Sequence, residues 1–260
     1  LMGRAATAAA ESNNVPAVAG QNGGLPVASQ EYLSSFAFFN KEIMEVIREN
    51  LGGQEMSSSD FERIKFPTGG GQLWTIPGTD GDPNMVKSID GIILQYKNMR
   101  VFWSEEFNGQ GAPPDCQSRD LRFGIGSPGG SCAECVYAKW GSDRKGGKGQ
   151  ACKTIGVLFM IVPGESIPII VPVPVASVKH LKRFMLRLAS QNKKYKHMIV
   201  SISLGQDKSE KGIVYSYLNP RVLFELPDEA KGQIDEFIAS FSTAMSSAVT
   251  AESINDQLGE

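Results

Sequence analysis

The chain has four cysteines, Cys116, Cys132, Cys135 and Cys152, all within residues 116–152 of a 260-residue sequence. Their spacing is C-x15-C-x2-C-x16-C. The two-residue gap between Cys132 and Cys135 puts both sulfurs on one side of a tight turn, and the outlying pair can complete a tetrahedron. Four thiolates around one ion is the usual arrangement of a structural zinc site. Such a shell leaves no position for water, so it orders the chain and does no catalysis. Zinc is therefore the expected cofactor, with Cys116, Cys132, Cys135 and Cys152 as its ligands. The same residues would also serve an iron–sulfur cluster, two disulfides in an oxidising compartment, or four unlinked core thiols. Only Cys132 and Cys135 form a close pair, so the fold must bring in the other two.

The segment around these cysteines is dense in glycine and poor in apolar residues, which leaves a bound metal to supply its order. From Cys116 to Lys153 it holds seven Arg or Lys against three acids. Phe123, Tyr137 and Trp140 lie among them. Basic residues interleaved with aromatics resemble a nucleic-acid contact surface, although a solvated face with structural aromatics has the same composition. Candidates for base stacking are Tyr96, Phe102, Trp103, Tyr137 and Trp140. Candidates for phosphate contact are Arg100, Arg122, Arg144, Lys145, Lys148 and Lys153, with Lys182 and Arg183 on a downstream basic helix.

Several elements must position these groups. Residues 1–29 read as a flexible tail rich in Ala, Gly and Asn. Within 30–55, Tyr32, Phe36, Phe39, Ile43, Val46 and Ile47 recur at three- and four-residue steps, which predicts a helix stopped by Gly52 and Gly53. Residues 56–225 read as a β domain carrying a zinc insertion at 116–153. Ile89 to Tyr96 predicts a strand, with Lys97-Asn98 as a turn into a second strand from Met99 to Trp103. Thr154 to Val162 and Ile167 to Val173 predict strands after the insertion. Ser177 is a candidate N-cap for a helix from Val178 to Gln191. His197 to Leu204 and Ile213 to Phe224 predict two more strands. Residues 226–260 predict a C-terminal helix from Asp228 to about Met245, then a tail.

Charge is divided along the chain although the net charge is only -2. Residues 178–196 hold seven Arg or Lys and no acid, whereas 225–260 hold eight Asp or Glu against Lys231. No uninterrupted apolar run reaches membrane-spanning length, and the first residues lack the apolar stretch of a secretion signal. A cytoplasmic location is expected, in the host cell if the chain is phage-encoded, with no membrane partner. Gly146-Gly-Lys-Gly149 lacks the order and preceding strand of a phosphate-binding loop. The chain has two histidines, His180 and His197, and neither has a partner set implying catalysis. No enzymatic activity is expected.

Three runs carry a resemblance: Pro114-Asp-Cys-Gln-Ser-Arg-Asp120, Pro128-Gly-Gly-Ser-Cys-Ala-Glu-Cys135, and Trp140-Gly-Ser142 with Gly149-Gln-Ala-Cys-Lys153. The pattern, over about residues 61–222, resembles a zinc-ribbon group of largely uncharacterised phage and prophage proteins. More distantly it resembles single-stranded DNA-binding proteins built on an oligonucleotide-binding (OB) barrel. The resemblance implies an α+β chain that is mainly β with flanking helices, an OB-like antiparallel barrel with a zinc-bound cysteine insertion. The implied function is binding single-stranded DNA with low sequence specificity in phage DNA replication or recombination, alongside replication proteins. The alternative is a zinc-stabilised protein-interaction module of a replication or transcription complex.

Overall fold

The computed structural model describes residues 17–18, 25–36, 38, 42–57, 59–76, 83–105, 113–143, 147–209 and 212–249. The strands are β1 (Ala17–Val18), β2 (Val27–Ala28), β3 (Trp74–Ile76), β4 (Asn84–Val86), β5 (Ser88–Phe102), β6 (Cys116–Ser118), β7 (Phe123–Gly126), β8 (Gly130–Ser131), β9 (Lys153–Ile161), β10 (Ile169–Val173), β11 (Met198–Lys208) and β12 (Val214–Glu225). The helices are α1 (Gln30–Leu33), α2 (Ile43–Asn50), α3 (Val175–Ser190) and α4 (Asp228–Ser247).

The main sheet runs β1-β2-β12-β11-β5 and continues through β9 to β10. All its main ladders are antiparallel, and its strands alternate between two separate cores. On β9, Ile155, Val157, Phe159 and Ile161 face one core, which α1, α2 and α4 complete through Leu33, Ile43, Ile47, Ile234, Phe237 and Phe241. Leu158 and Met160 face the other, closed by Leu181, Phe184 and Leu188 of α3 and by Phe66 and Trp74. Two covered faces explain why β9 reads as an unbroken apolar run rather than an alternating one.

This arrangement corrects the expected OB-like barrel. A small closed barrel has one interior and a wet outer face, but here both faces are dry. The two margins of the sheet do not meet: β12 is met by Val27 of β2, and β10 by an isolated bridge to Arg63. The result is an open sheet in a mixed α+β architecture.

Three local readings also change. Lys97-Asn98 makes no turn: β5 runs straight through, pairing Lys97 with Val157 and Asn98 with Gly156. A Cβ at Gly156 would lie 2.7 Å from Asn98 Oδ1 and 2.8 Å from the Lys97 carbonyl oxygen, so the missing side chain makes room for two turn-forming residues inside a ladder. The irregularity lies upstream, where the register shifts between Ile93 and Gln95. The expected N-terminal helix is two short ones, α1 and α2. Helix α3 begins at Val175, and Ser177 is buried in its first turn, where its Oγ accepts from the Leu218 amide at 2.9 Å instead of capping the helix. Among the described residues no helix is long and apolar enough to cross a membrane.

Phe159 sits at the centre of the first core, fully buried, with its ring edge-on to Phe61 at 5.6 Å. Truncating it leaves a cavity in a wall made of neighbouring strands, which relax little. Phe159→Ala is expected to lower unfolding free energy by about 3–5 kcal/mol, read as a shift of the urea midpoint at unchanged slope.

Candidate functional site

The cysteine segment grows from the far end of β5. There Val101 pairs with Lys153 of β9 on one side, while Phe102 pairs with Cys116 of β6 on the other. The meander β6-β7-β8 follows, with Cys116 opposite Gly126 and Phe123 opposite Ser131. Two glycines hold it tight. A Cβ at Gly126, whose φ is +109°, would lie 2.0 Å from the Asp115 carbonyl oxygen. A Cβ at Gly124 would lie 2.7 Å from Cys116 Sγ.

Hydrogen bonds do the remaining work of ordering this lobe. Asp120 Oδ1 accepts from the amides of Arg122 at 2.8 Å and Phe123 at 2.9 Å and from Ser118 Oγ at 2.9 Å. These bonds to the charged form hold its carboxyl at about 2, below the ordinary 3.8. The Cys132 amide donates to the Arg122 carbonyl at 2.8 Å, and the Cys152 amide to the Tyr137 carbonyl at 2.8 Å. Ser142 Oγ bonds the Lys139 and Tyr137 carbonyls and accepts from the Ala151 amide at 3.0 Å. Lys153 pairs with Asp143 at 3.5 Å. The ring of Tyr137 stacks on Phe102 with centroids 4.2 Å apart and planes 18° apart, joining the lobe to the end of the sheet.

All four cysteines line one small cavity, together with Arg100, Phe102, Gln117, Ser118, Gly124 and Ala138 among others. All four are free thiols. Cys152 is buried, and burial pushes its thiol up to about 11; the Arg100 guanidinium opposes that rise, and the nearby Cys135, Cys132 and Cys116 add to it. Two polar atoms of the wall, Arg100 Nη1 and Gln117 Oε1, are buried without a hydrogen-bond partner.

The expected zinc centre is corrected here. Among the described residues no three His, Cys, Asp or Glu side chains are grouped so as to hold a metal ion. The sulfurs of Cys116, Cys132, Cys135 and Cys152 share a cavity wall without forming a coordination shell. Main-chain hydrogen bonds, the Asp120 turn and the Tyr137–Phe102 stack supply the order assigned in advance to metal. The zinc-stabilised interaction module falls with its metal.

The nucleic-acid candidates are divided: Arg122, Trp140 and Lys148 are exposed on the lobe, and others lie elsewhere. Phe102 is buried beneath Tyr137, Trp103 packs against the first core, and Tyr96 packs against the second. Arg100 faces the cysteine cavity. Lys182 and Arg183 are exposed on α3, outside the lobe. Arg144 and Lys145 lie outside the described residues. With an open sheet in place of an OB barrel and no metal-holding group among the described residues, the reading as a single-stranded DNA-binding replication protein is withdrawn. The histidines are engaged elsewhere: His180 stacks on Tyr217 at 4.1 Å, and His197 Nε2 lies 3.2 Å from Asp235 Oδ1.

The sequence reading named Phe123 and Trp140 but missed Leu121, Ile125 and Val136, which share their exposure on the lobe. Of twelve large apolar side chains exposed among the described residues, five belong to it: Leu121, Phe123, Ile125, Val136 and Trp140. Trp140 is 80% exposed and Ile125 74%. The signal was Phe123-Gly-Ile-Gly126, in which large and glycine positions alternate at the period of a strand. No family model, curated protein or solved structure matches the chain.

Two outcomes follow from this geometry. Because Asp120 titrates lower folded than unfolded, its contribution to stability is full above about pH 4 and is lost as pH falls toward 2. Asp120→Asn should remove that part of the acid dependence, visible as a flatter plot of melting temperature against pH between those limits. A double-mutant cycle of Phe102→Leu and Tyr137→Leu should return a coupling of about 0.5–1.5 kcal/mol.

Proposed function

We propose that the protein is a non-enzymatic binding module whose cysteine-rich lobe seats an acidic protein segment. The observation that carries this reading is the concentration of exposed apolar side chains on that one basic lobe. Among the described residues the other seven exposed large apolar side chains are spread along the chain from Val46 to Ile213, whereas the lobe's five fall between Leu121 and Trp140. Exposed groups of this kind mark interaction surfaces. Arg119, Arg122, Lys139 and Lys148 are exposed in the same lobe. That charge selects an acidic partner and speeds its approach.

The side-chain types favour protein over nucleic acid as the occupant. Leu121, Ile125 and Val136 offer a base no ring to stack on, but each fills a pocket or covers an apolar neighbour on a protein. An aromatic and aliphatic centre with arginine nearby is the composition of a protein–protein interface core. Trp140, the most exposed of these side chains, is suited to be the anchor.

An array of peptides that combine Asp or Glu with Leu, Phe or Trp tests this, beside the same peptides with Lys at the acidic positions. The acidic set should bind, weaken with added salt, and lose about 2 kcal/mol or more of affinity with Trp140→Ala. Equal binding of both sets, or an unchanged affinity in the variant, would defeat the proposal. Tight binding of oligo-dT in the same concentration range would defeat the choice of a protein partner.

A further inference from the structure

Apart from any docking partner, the cysteine cavity has features of a reactive site. Four free thiols line it, three of them partly open to solvent: Cys116, Cys132 and Cys135. Cys132 and Cys135 are separated by two residues and lie at the mouth of a short 3-10 turn, Val136–Ala138. That spacing is the one used by dithiols that open and close a disulfide. Arg100 Nη1 stands in the same wall, buried and without a partner. A buried guanidinium nitrogen left unbonded is expensive. A thiolate forming in the cavity would give it a counter-charge.

We infer that Cys132 and Cys135 form a thiol-exchange site that reacts with small-molecule disulfides of the glutathione class. The thiolate of one cysteine attacks a sulfur of the small disulfide, forms a protein–glutathione bond and expels one glutathione thiolate, which takes up the proton lost by the attacking thiol. The second cysteine, as its thiolate, then attacks the protein sulfur of that bond. It forms the Cys132–Cys135 disulfide and releases the second glutathione, again with one proton passed on. Two protein thiols are oxidised and one small disulfide is reduced to two thiols. Cys152 is buried and takes no part in the first attack. Arg100 acts as a positioning residue that favours the attacking thiolate.

The folded full-length protein is incubated with excess oxidised glutathione, with and without a metal chelator, and followed by thiol titration and peptide mapping. Two of the four thiols should disappear in both arms, mapping to a Cys132–Cys135 link, and reduced glutathione should restore them. Cys152→Ser should still lose the pair. Cys135→Ser should stop at a glutathione adduct on Cys132, or Cys132→Ser at one on Cys135, which names the attacking sulfur. Arg100→Gln should slow the exchange without changing its end point, and Arg100→Lys should restore part of the rate; an unchanged Arg100→Gln rate removes the role given to Arg100. Retention of all four thiols, a link through Cys116 or Cys152, a lasting adduct on the unsubstituted chain, or reaction only after chelator or denaturant is added would each overturn the inference. Peptide binding by the lobe is measured separately on the reduced protein, so failure of the exchange leaves the docking result standing and the reverse also holds.

Discussion

The pairing of β5 with β9 is the constraint on which the rest of the molecule depends. It runs through the middle of the sheet from Ile92 opposite Ile161 to Val101 opposite Lys153. Its inner half supplies both cores, because Ile92, Ile93, Leu158 and Phe159 point alternately to the two faces. Its outer end closes a loop that contains every cysteine. Closing a chain segment of this length has an entropic cost that grows slowly with length, and the buried ladder supplies the compensating energy. The Val101–Lys153 pair sets Cys152 at this end of the sheet, and the Phe102–Cys116 pair sets Cys116 on the other side of β5, both on the wall of one cavity. The convergence of the cysteines is thus a property of the sheet first and of the lobe second.

This explains which parts were legible in the sequence. The apolar run 154–162, the stripe on 228–245 and the alternation around 199–204 state their elements directly, because burial on fixed faces leaves a period. The continuity of β5 was not legible. Lys97-Asn98 has the composition of a turn, and only its neighbour across the ladder, Gly156, removes the clash that would have forced one. A pairing partner 58 positions away has no local signal. The closed barrel failed for a related reason. Short strands in antiparallel order suit barrels and open sheets alike, and the difference lies in what covers the outer face. Here α3 and α4 both turn their apolar stripes to the sheet, on opposite sides.

Cysteine spacing carried less than it promised. C-x2-C between two distant cysteines says that four sulfurs can be brought together, and the fold brings all four to one wall. It does not say that they close on an ion. The lobe has other sources of order that leave weak traces in sequence: an Asp120 carboxylate collecting three donors, a Ser142 hydroxyl bridging two loops, and an aromatic stack across the lobe boundary. None has a spacing that would single it out before the structure is known.

The same cavity accounts for the lobe's outer face. On β7 the inward position is Gly124, and Cys116 Sγ occupies the space a side chain would need. With that inward site reduced to a hydrogen, the pleat of the strand sends Phe123 and Ile125 outward on either side of it. Reversing the strand's register to bury them would put Gly124 outside and drive a phenyl ring and a sec-butyl group into the space held by sulfur. The outward placement of Phe123 and Ile125 is therefore a consequence of packing Cys116 behind β7, not a failure of packing. At β7 a single layer of backbone separates the cysteine cavity from these two exposed side chains. A change at Cys116 Sγ would bear directly on Gly124 and so on the two side chains that flank it.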